Sequence, residues 1–248
     1  MPSLKRLRAG LTMLRPGEFA LAAARCPFCG PSLFVRLHRD DGGVRCARCA
    51  AGTIHVAIGL ALRDEVRDLS VCDACEFSAR GPLVEHLRRH ARSVALSEYF
   101  DDVAPGELRS GVRCEDMQRL TYADASFDVV THTEVLEHVP DDRRAFAELH
   151  RILRPGGVMA FTVPLHGGVH TVERARLRGS AVEHLLEPVY HTDPQRSDTG
   201  ILAFRDYGQD ILERLREAGF RDVRLHAPSL RTSWLRVRDV IIAIKDKE

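Results

Sequence analysis

From residue 60 onward, short apolar runs alternate with segments whose apolar residues recur at helical spacing. Leu69–Cys72, Ser93–Leu96, Gly111–Cys114, Phe127–Thr131 and the run VMAFTVP each read as a strand. Between them, Leu83, Val84 and Leu87 repeat at a helical period within Gly81–Ala91, and so do Phe146, Leu149, Ile152 and Leu153 behind the cap Asp141-Asp142. Pro155-Gly156-Gly157 ends that second helix. Residues 206–218 predict another helix, and two closing strands follow near 220–226 and 239–244. The expected fold is α/β: a Rossmann-like, seven-stranded, mostly parallel sheet with helices on both faces. Right-handed crossovers then gather the ends of the first four strands around one crevice, which Asp73–Ala79, Glu98, Asp116 and His132 would face.

The first 60 residues lack this alternation and carry a different signal. Cys26-Pro-Phe-Cys29-Gly and Cys46-Ala-Arg-Cys49 are two cysteine pairs separated by sixteen residues, with the turn Asp40-Asp41-Gly42-Gly43 between them. Each pair suits a tight knuckle, and a hairpin brings the four thiolates together as a closed tetrahedral site for structural zinc. The same ligands would also hold an iron–sulfur centre. The chain thus divides into an N-terminal module, 1–60, and a main domain, 61–248.

Composition adds less. Of 248 residues, 44% are hydrophobic and 29% charged, as in a soluble domain able to bury its own core. The apolar runs are too short to cross a bilayer and Arg15-Pro16 interrupts any leader-like stretch, so a cytoplasmic protein without a membrane partner is expected. Net charge is +1, but residues 1–50 hold nine Lys/Arg against three Asp/Glu. That asymmetry suits either a solvated basic surface or a nucleic-acid contact.

The fragments CEDMQRLTYADASFDVV, EVLEHVPDDRRAFAELHRILRPGGVMAFTVP and FRDYGQDILERLREAGF resemble the class I S-adenosylmethionine-dependent methyltransferases, in order and spacing, over most of 69–244. The resemblance implies S-adenosylmethionine as cofactor. It makes Glu98 the acceptor for the ribose hydroxyls, Tyr99 an adenine-packing ring, Asp116 and Met117 the contacts at the adenine edge, and His132 a neighbour of the methionine moiety. It also gives His138, in EVLEHV, a packing or capping role. The first cofactor loop departs from the family. With Asp73 aligned to the usual acid, Cys75 and Phe77 stand where glycines are common, and Glu76 and Ser78 complete a glycine-poor loop.

A long segment, 164–205, is the expected substrate cover. Its histidines include the candidate general bases His191, first choice, and His166. A zinc site at His166 and His170 is rejected because Gly167-Gly168 opposes a helix there. The function expected first is methylation of a hydroxyl or nitrogen on a small molecule. The alternatives are an RNA methyltransferase that grips nucleic acid through the basic zinc module, and a scaffold that keeps the fold without catalysis.

Overall fold

The structure is a computed structural model that describes residues 14–193, 196–230 and 234–247. Residues 1–13, which carry part of the N-terminal positive charge, lie outside the described residues. The chain begins with three antiparallel strands, β1 (Ala20–Cys26), β2 (Gly30–Arg36) and β3 (Val44–Cys46), followed by α1 (Thr53–Glu65). Next come β4 (Asp73–Glu76), α2 (Pro82–His90), β5 (Ser93–Glu98), β6 (Leu108–Arg109), β7 (Val112–Cys114) and β8 (Phe127–Thr133). After α3 (Asp142–Ile152) and β9 (Leu153–Thr162) the chain enters β10 (Val172–Glu173), β11 (Ala175–Arg178), β12 (Ala181–His184), β13 (Tyr190–Asp193), β14 (Arg196–Leu202) and β15 (Arg205–Asp206). The closing elements are α4 (Ile211–Glu217), β16 (Phe220–His226) and β17 (Val240–Lys245).

Eight strands form the main sheet, in the order β16-β17-β9-β8-β4-β5-β7-β6. The expectation of seven missed β6, a two-residue edge strand folded back antiparallel on β7. Pairing from β9 through β8, β4 and β5 to β7 is parallel, while β17 and β16 add antiparallel. Strand order reverses at β4/β8, which opens a crevice at their carboxyl ends.

Alternation along the strands assigns the two faces. Cys75, Val130, Met159, Phe161, Ile241 and Ala243 pack with Phe146 and Leu149 of α3 and with Ile211 and Leu215 of α4. Ala74, Val129, Val158, Ala160, Val240 and Ile242 pack on the other face with Ala57, Ile58 and Ala61 of α1 and with Leu83 and Leu87 of α2. Asp141 caps α3 as expected, its Oδ1 accepting from the Arg144 N–H at 3.1 Å.

Three expectations need correction. Leu69–Val71 is a 3-10 turn and the first strand starts at Asp73. Asp68 captures the Ser70 N–H at 2.9 Å and its hydroxyl at 2.7 Å, and Cys72 N–H closes on Leu69 O at 3.0 Å, so the apolar run is used up in a turn. The helix expected over 206–218 is confined to Ile211–Glu217, because 205–206 pair with β10. The 60/61 boundary falls inside α1. One side of that helix, Val56 and Leu60, shares a core with Cys26, Phe34 and Cys46 of the N-terminal module, and the other packs on the sheet. Gly59 makes the close fit possible, since a Cβ there would lie 2.7 Å from the Phe28 ring and 2.9 Å from Pro27 Cγ.

Candidate functional site

A cavity of about 440 Å³ opens at the carboxyl ends of β5 and β7. On one side are Glu98 and Tyr99, which follow from β5, and Asp116 and Met117, which follow from β7. Phe77, immediately after β4, also lines it with Val135 and Val139, and so do Leu177, Ile201, Leu202 and Phe204 of the cover. Glu98 Oε1 accepts the Ala79 N–H at 3.1 Å, which ties the loop after β4 to the end of β5. Asp116 Oδ1 accepts from the Gln118 N–H at 2.9 Å and so forms a tight turn that presents Met117 inward. Four of the residues expected at the cofactor, Glu98, Tyr99, Asp116 and Met117, therefore line one wall.

The remaining expected residues are placed differently. Asp73 begins its strand, at the far end of the sheet from the cavity. Its carboxylate takes the Arg92 Nε–H at 2.9 Å, the Ser93 hydroxyl at 2.7 Å and Arg154 Nη2–H at 3.0 Å. Arg92, then Ser93, hold its pKa well below the usual carboxylate range. Arg154, in the RPGG run, also bridges to Asp128 at 2.7 Å, so this distinctive residue serves an ionic cluster beneath the sheet. The acid at the carboxyl end of β4 is Glu76, three residues later. Glu76 is fully buried and accepts from the Ser78 hydroxyl at 2.6 Å and from the Thr131 hydroxyl. Burial pushes its pKa up to about 7, against the lowering effect of those two hydroxyls.

Cys75 points into the core beside Phe77 and Met159, and burial raises its thiol far above the ordinary range. Phe77 turns the same way, edge-on to His132 at 6.4 Å between ring centroids, and still lines the cavity. A phenylalanine at a position where the family commonly has glycine is thereby accommodated by the core. His132 is also buried, stacked on Phe161 at 4.5 Å, and desolvation lowers its pKa to about 3. Its ring lies in the core, not on the cavity wall.

Of the two candidate bases, His166 belongs to a local turn: its Nε2 meets His170 O at 2.9 Å and its Nδ1 accepts the Gly168 N–H at 3.2 Å. It does not line the cavity. His191, on β13, lies 4.9 Å from His138 between ring centroids, and its Nδ1 is 3.7 Å from Glu137 Oε1. The Glu137 carboxylate raises the His191 pKa against desolvation. His138 has more than the packing role expected for it, since it lines the cavity and its Nδ1 meets Leu202 O at 2.8 Å. Glu134, one turn before, is buried enough that its pKa rises to about 7, with Glu137 adding to the effect. The sequence alone did not single out Glu134 and Glu137. The two acids and His138 sit three and one residues apart in EVLEHV, but the second histidine arrives from the cover, 53 positions later.

Residues 78–161 match the family model described as a methyltransferase domain. About a third of the chain is thus similar to a methyltransferase domain. The match starts just past Glu76 and runs through β9, so it contains the whole Glu98–Asp116 wall. The ubiquinone biosynthesis O-methyltransferase of Coxiella burnetii is 34% identical over 90 residues, which are 33% of this chain and 38% of that protein. The 27-O-demethylrifamycin SV methyltransferase of Amycolatopsis mediterranei is 42% identical over 72 residues, 27% of this chain and 26% of that protein. The chain thus spans well under half the length of these curated relatives. A solved S-adenosylmethionine-dependent methyltransferase from Mesorhizobium loti is 16% identical and superposes with a TM-score of 0.49 over 76% of this chain and 98% of that one.

N-terminal to the matched residues, the four cysteines Cys26, Cys29, Cys46 and Cys49 converge. Their sulfurs all lie within 4.8 Å of one another, with Cys26–Cys49 at 3.6 Å and Cys29–Cys46 at 3.5 Å. A tetrahedron of sulfurs about 2.3 Å from a zinc ion has edges of about 3.8 Å, so the spacing fits that ion. Both knuckles share a backbone device: the residue after the second cysteine adopts a left-handed conformation, Gly30 at φ 78° and Ala50 at φ 61°. Hydrogen bonds, from Ser32 first, offset burial and lower the Cys46 pKa to about 7, while burial raises Cys29 to about 11. No described helix is long and apolar enough to cross a membrane.

Proposed function

We propose that the protein transfers a methyl group from S-adenosylmethionine to an oxygen of a small molecule enclosed between the sheet and the 164–205 cover. The observation that carries this reading is the single cavity that Glu98, Tyr99, Asp116 and Met117 share with Leu177, Ile201, Leu202 and Phe204 of the cover. Two carboxylates that can accept from hydroxyls and an amine, beside a flat thioether and an aromatic ring, suit a nucleoside. The apolar cover suits an enclosed organic acceptor. The bound cofactor supplies the electrophilic methyl on its sulfonium. What the chain contributes is alignment of donor and acceptor and exclusion of water. Oxygen is favoured as the acceptor atom because both curated relatives are named for O-methylation.

The four N-terminal cysteines are proposed to hold structural zinc, since they leave no open position for a substrate. The RNA reading finds less support in the module. In the cleft between its second knuckle and α2, the Arg48 guanidinium is bound to Cys29 O at 2.8 Å, Arg89 lies 3.7 Å from Glu85, and burial lowers the His86 pKa to about 4. His86 is then uncharged at neutral pH and Arg89 is partly offset by Glu85, so the cleft offers a phosphate chiefly Arg48.

Calorimetric titration with S-adenosylhomocysteine tests the cofactor half of the proposal. One site per chain, weakened in Glu98→Ala, is expected. Absence of binding to folded, zinc-loaded protein would transfer the weight to a non-catalytic scaffold.

A further inference from the structure

We propose that Glu137, His138 and His191 form a divalent-cation site beside the cavity, and that its open coordination positions take an oxygen of the methyl acceptor. The second clause rests on the O-methylation reading above; the site itself does not.

The ligand atoms of these three residues lie within 4.8 Å of one another, and Glu137 Oε1 is 3.7 Å from both His138 Nε2 and His191 Nδ1. Ligands bound about 2.1 Å from one ion stand about 3.0 to 3.6 Å apart at angles of 90° to 120°. The two separations from Glu137, 3.7 Å each, need only a few tenths of an ångström of contraction. Glu137 is 1% exposed, and neither of its carboxylate oxygens has a hydrogen-bond partner among the described residues. A buried carboxylate left in that condition is costly unless a positive charge compensates it.

The histidine tautomer points the same way. Leu202 O can only accept, so His138 Nδ1 must carry the proton that binds it. A neutral His138 therefore carries its lone pair on Nε2, the atom 3.7 Å from Glu137 Oε1. A ring nitrogen anchored to a carbonyl while its partner faces the ion is a recurrent arrangement among metal-binding histidines. Two imidazoles and a carboxylate suit manganese, iron, cobalt or zinc better than the oxygen-seeking magnesium or calcium.

His138 also lines the cavity, so an ion held by it would lie beside that space. A hydroxyl brought to it is acidified. The acceptor O–H bond then gives its proton to solvent, the oxygen forms its bond to the methyl carbon, and the sulfonium carbon–sulfur bond breaks to leave a neutral thioether.

The test is a Mn²⁺ titration of the full chain, loaded with zinc at the cysteines and followed by electron paramagnetic resonance. S-adenosylhomocysteine binding is measured on the same samples. One Mn²⁺ per chain is expected, with affinity reduced at least about tenfold in His191→Ala and in Glu137→Gln, and cofactor-product binding retained. His191 lies on a partly exposed hairpin, so its variant remains decisive if the buried Glu137 variant fails to fold. Absence of Mn²⁺ binding, or an affinity unchanged in His191→Ala, overturns the site and leaves Glu137 and His191 as an acid–base pair. Variant-sensitive Mn²⁺ binding without any cofactor-product binding would uphold the site and overturn the methyl-transfer reading.

Discussion

Glu76→Gln should make the protein more stable, and the gain should depend on pH. The carboxyl is completely enclosed and its pKa stands at about 7, against 4.5 in the unfolded chain, with burial as the main cause. The native state therefore holds a proton that the unfolded state has released between these two values. Stability is full below about 4.5, falls as pH rises toward 7, and stays reduced above it. A difference of this size corresponds to about 3 kcal/mol at 1.36 kcal/mol for each pH unit. Glutamine has the same shape, accepts no charge, and can still meet the hydroxyls of Ser78 and Thr131. Urea unfolding of both proteins from pH 4.5 to pH 8.5 isolates the effect, because Glu134 and His132 titrate equally in each. The difference should grow from near zero to about 3 kcal/mol in favour of the variant. A flat difference, or a variant less stable at pH 8, would refute the claim that Glu76 is buried at a cost.

Other outcomes follow from the same geometry. Gly59→Ala should lose about 1–3 kcal/mol through contact with Phe28 and Pro27, less about 1 kcal/mol of gained helix propensity, and Phe28→Ala should relieve the loss in a double-mutant cycle by thermal melting. Glu98→Ala should weaken S-adenosylhomocysteine binding roughly ten- to hundredfold by calorimetry, the worth of hydrogen bonds to a charged group. Asp73→Asn should leave that affinity unchanged while lowering the melting temperature, because Asp73 serves only the ionic cluster with Arg92 and Arg154. Cys46→Ser should abolish the expected single zinc by metal analysis and expose the 14–50 segment to proteolysis.

The late strands, α3 and its Asp141 cap were legible because their signals are local. An alternating or helical period and a capping carboxylate lie within a dozen residues. The cofactor loop was misread for an equally local reason. Leu69–Cys72 has the apolar content of a strand, but Asp68 bends it into a turn, and that three-residue displacement moved the acid from Glu76 to Asp73. Glu98, Asp116 and Met117 stand where the pattern sets them relative to β5 and β7, because those strands begin close to the expected positions. Glu137 and His138 could not be read as a cluster, since the residues that give them meaning, Leu202 and His191, are supplied by a hairpin far along the chain. Charge counting was similarly blind to placement: Arg48 adds to the basic balance of the N-terminus, yet its guanidinium is held against Cys29 O and Pro31 O beside the knuckles.

The roots of the cover deserve a last consequence. Val172 pairs with Asp206 and Glu173 with Arg205 in a two-stranded sheet of their own, so the cover is closed on itself near its two ends. The buried Arg205 fastens that root, giving hydrogen bonds to Leu136 O at 3.1 Å, Val139 O at 2.6 Å and Pro140 O at 2.6 Å. An excursion whose two ends are already joined behaves as an interchangeable cassette. Its length and sequence can drift, or be exchanged for another, without moving β9 or α4. The residues proposed to choose the acceptor and those proposed to hold the cofactor can thus drift on separate clocks, and an engineer who replaces 174–203 exchanges the cover's side of the cavity while leaving Glu98, Tyr99, Asp116 and Met117 in place.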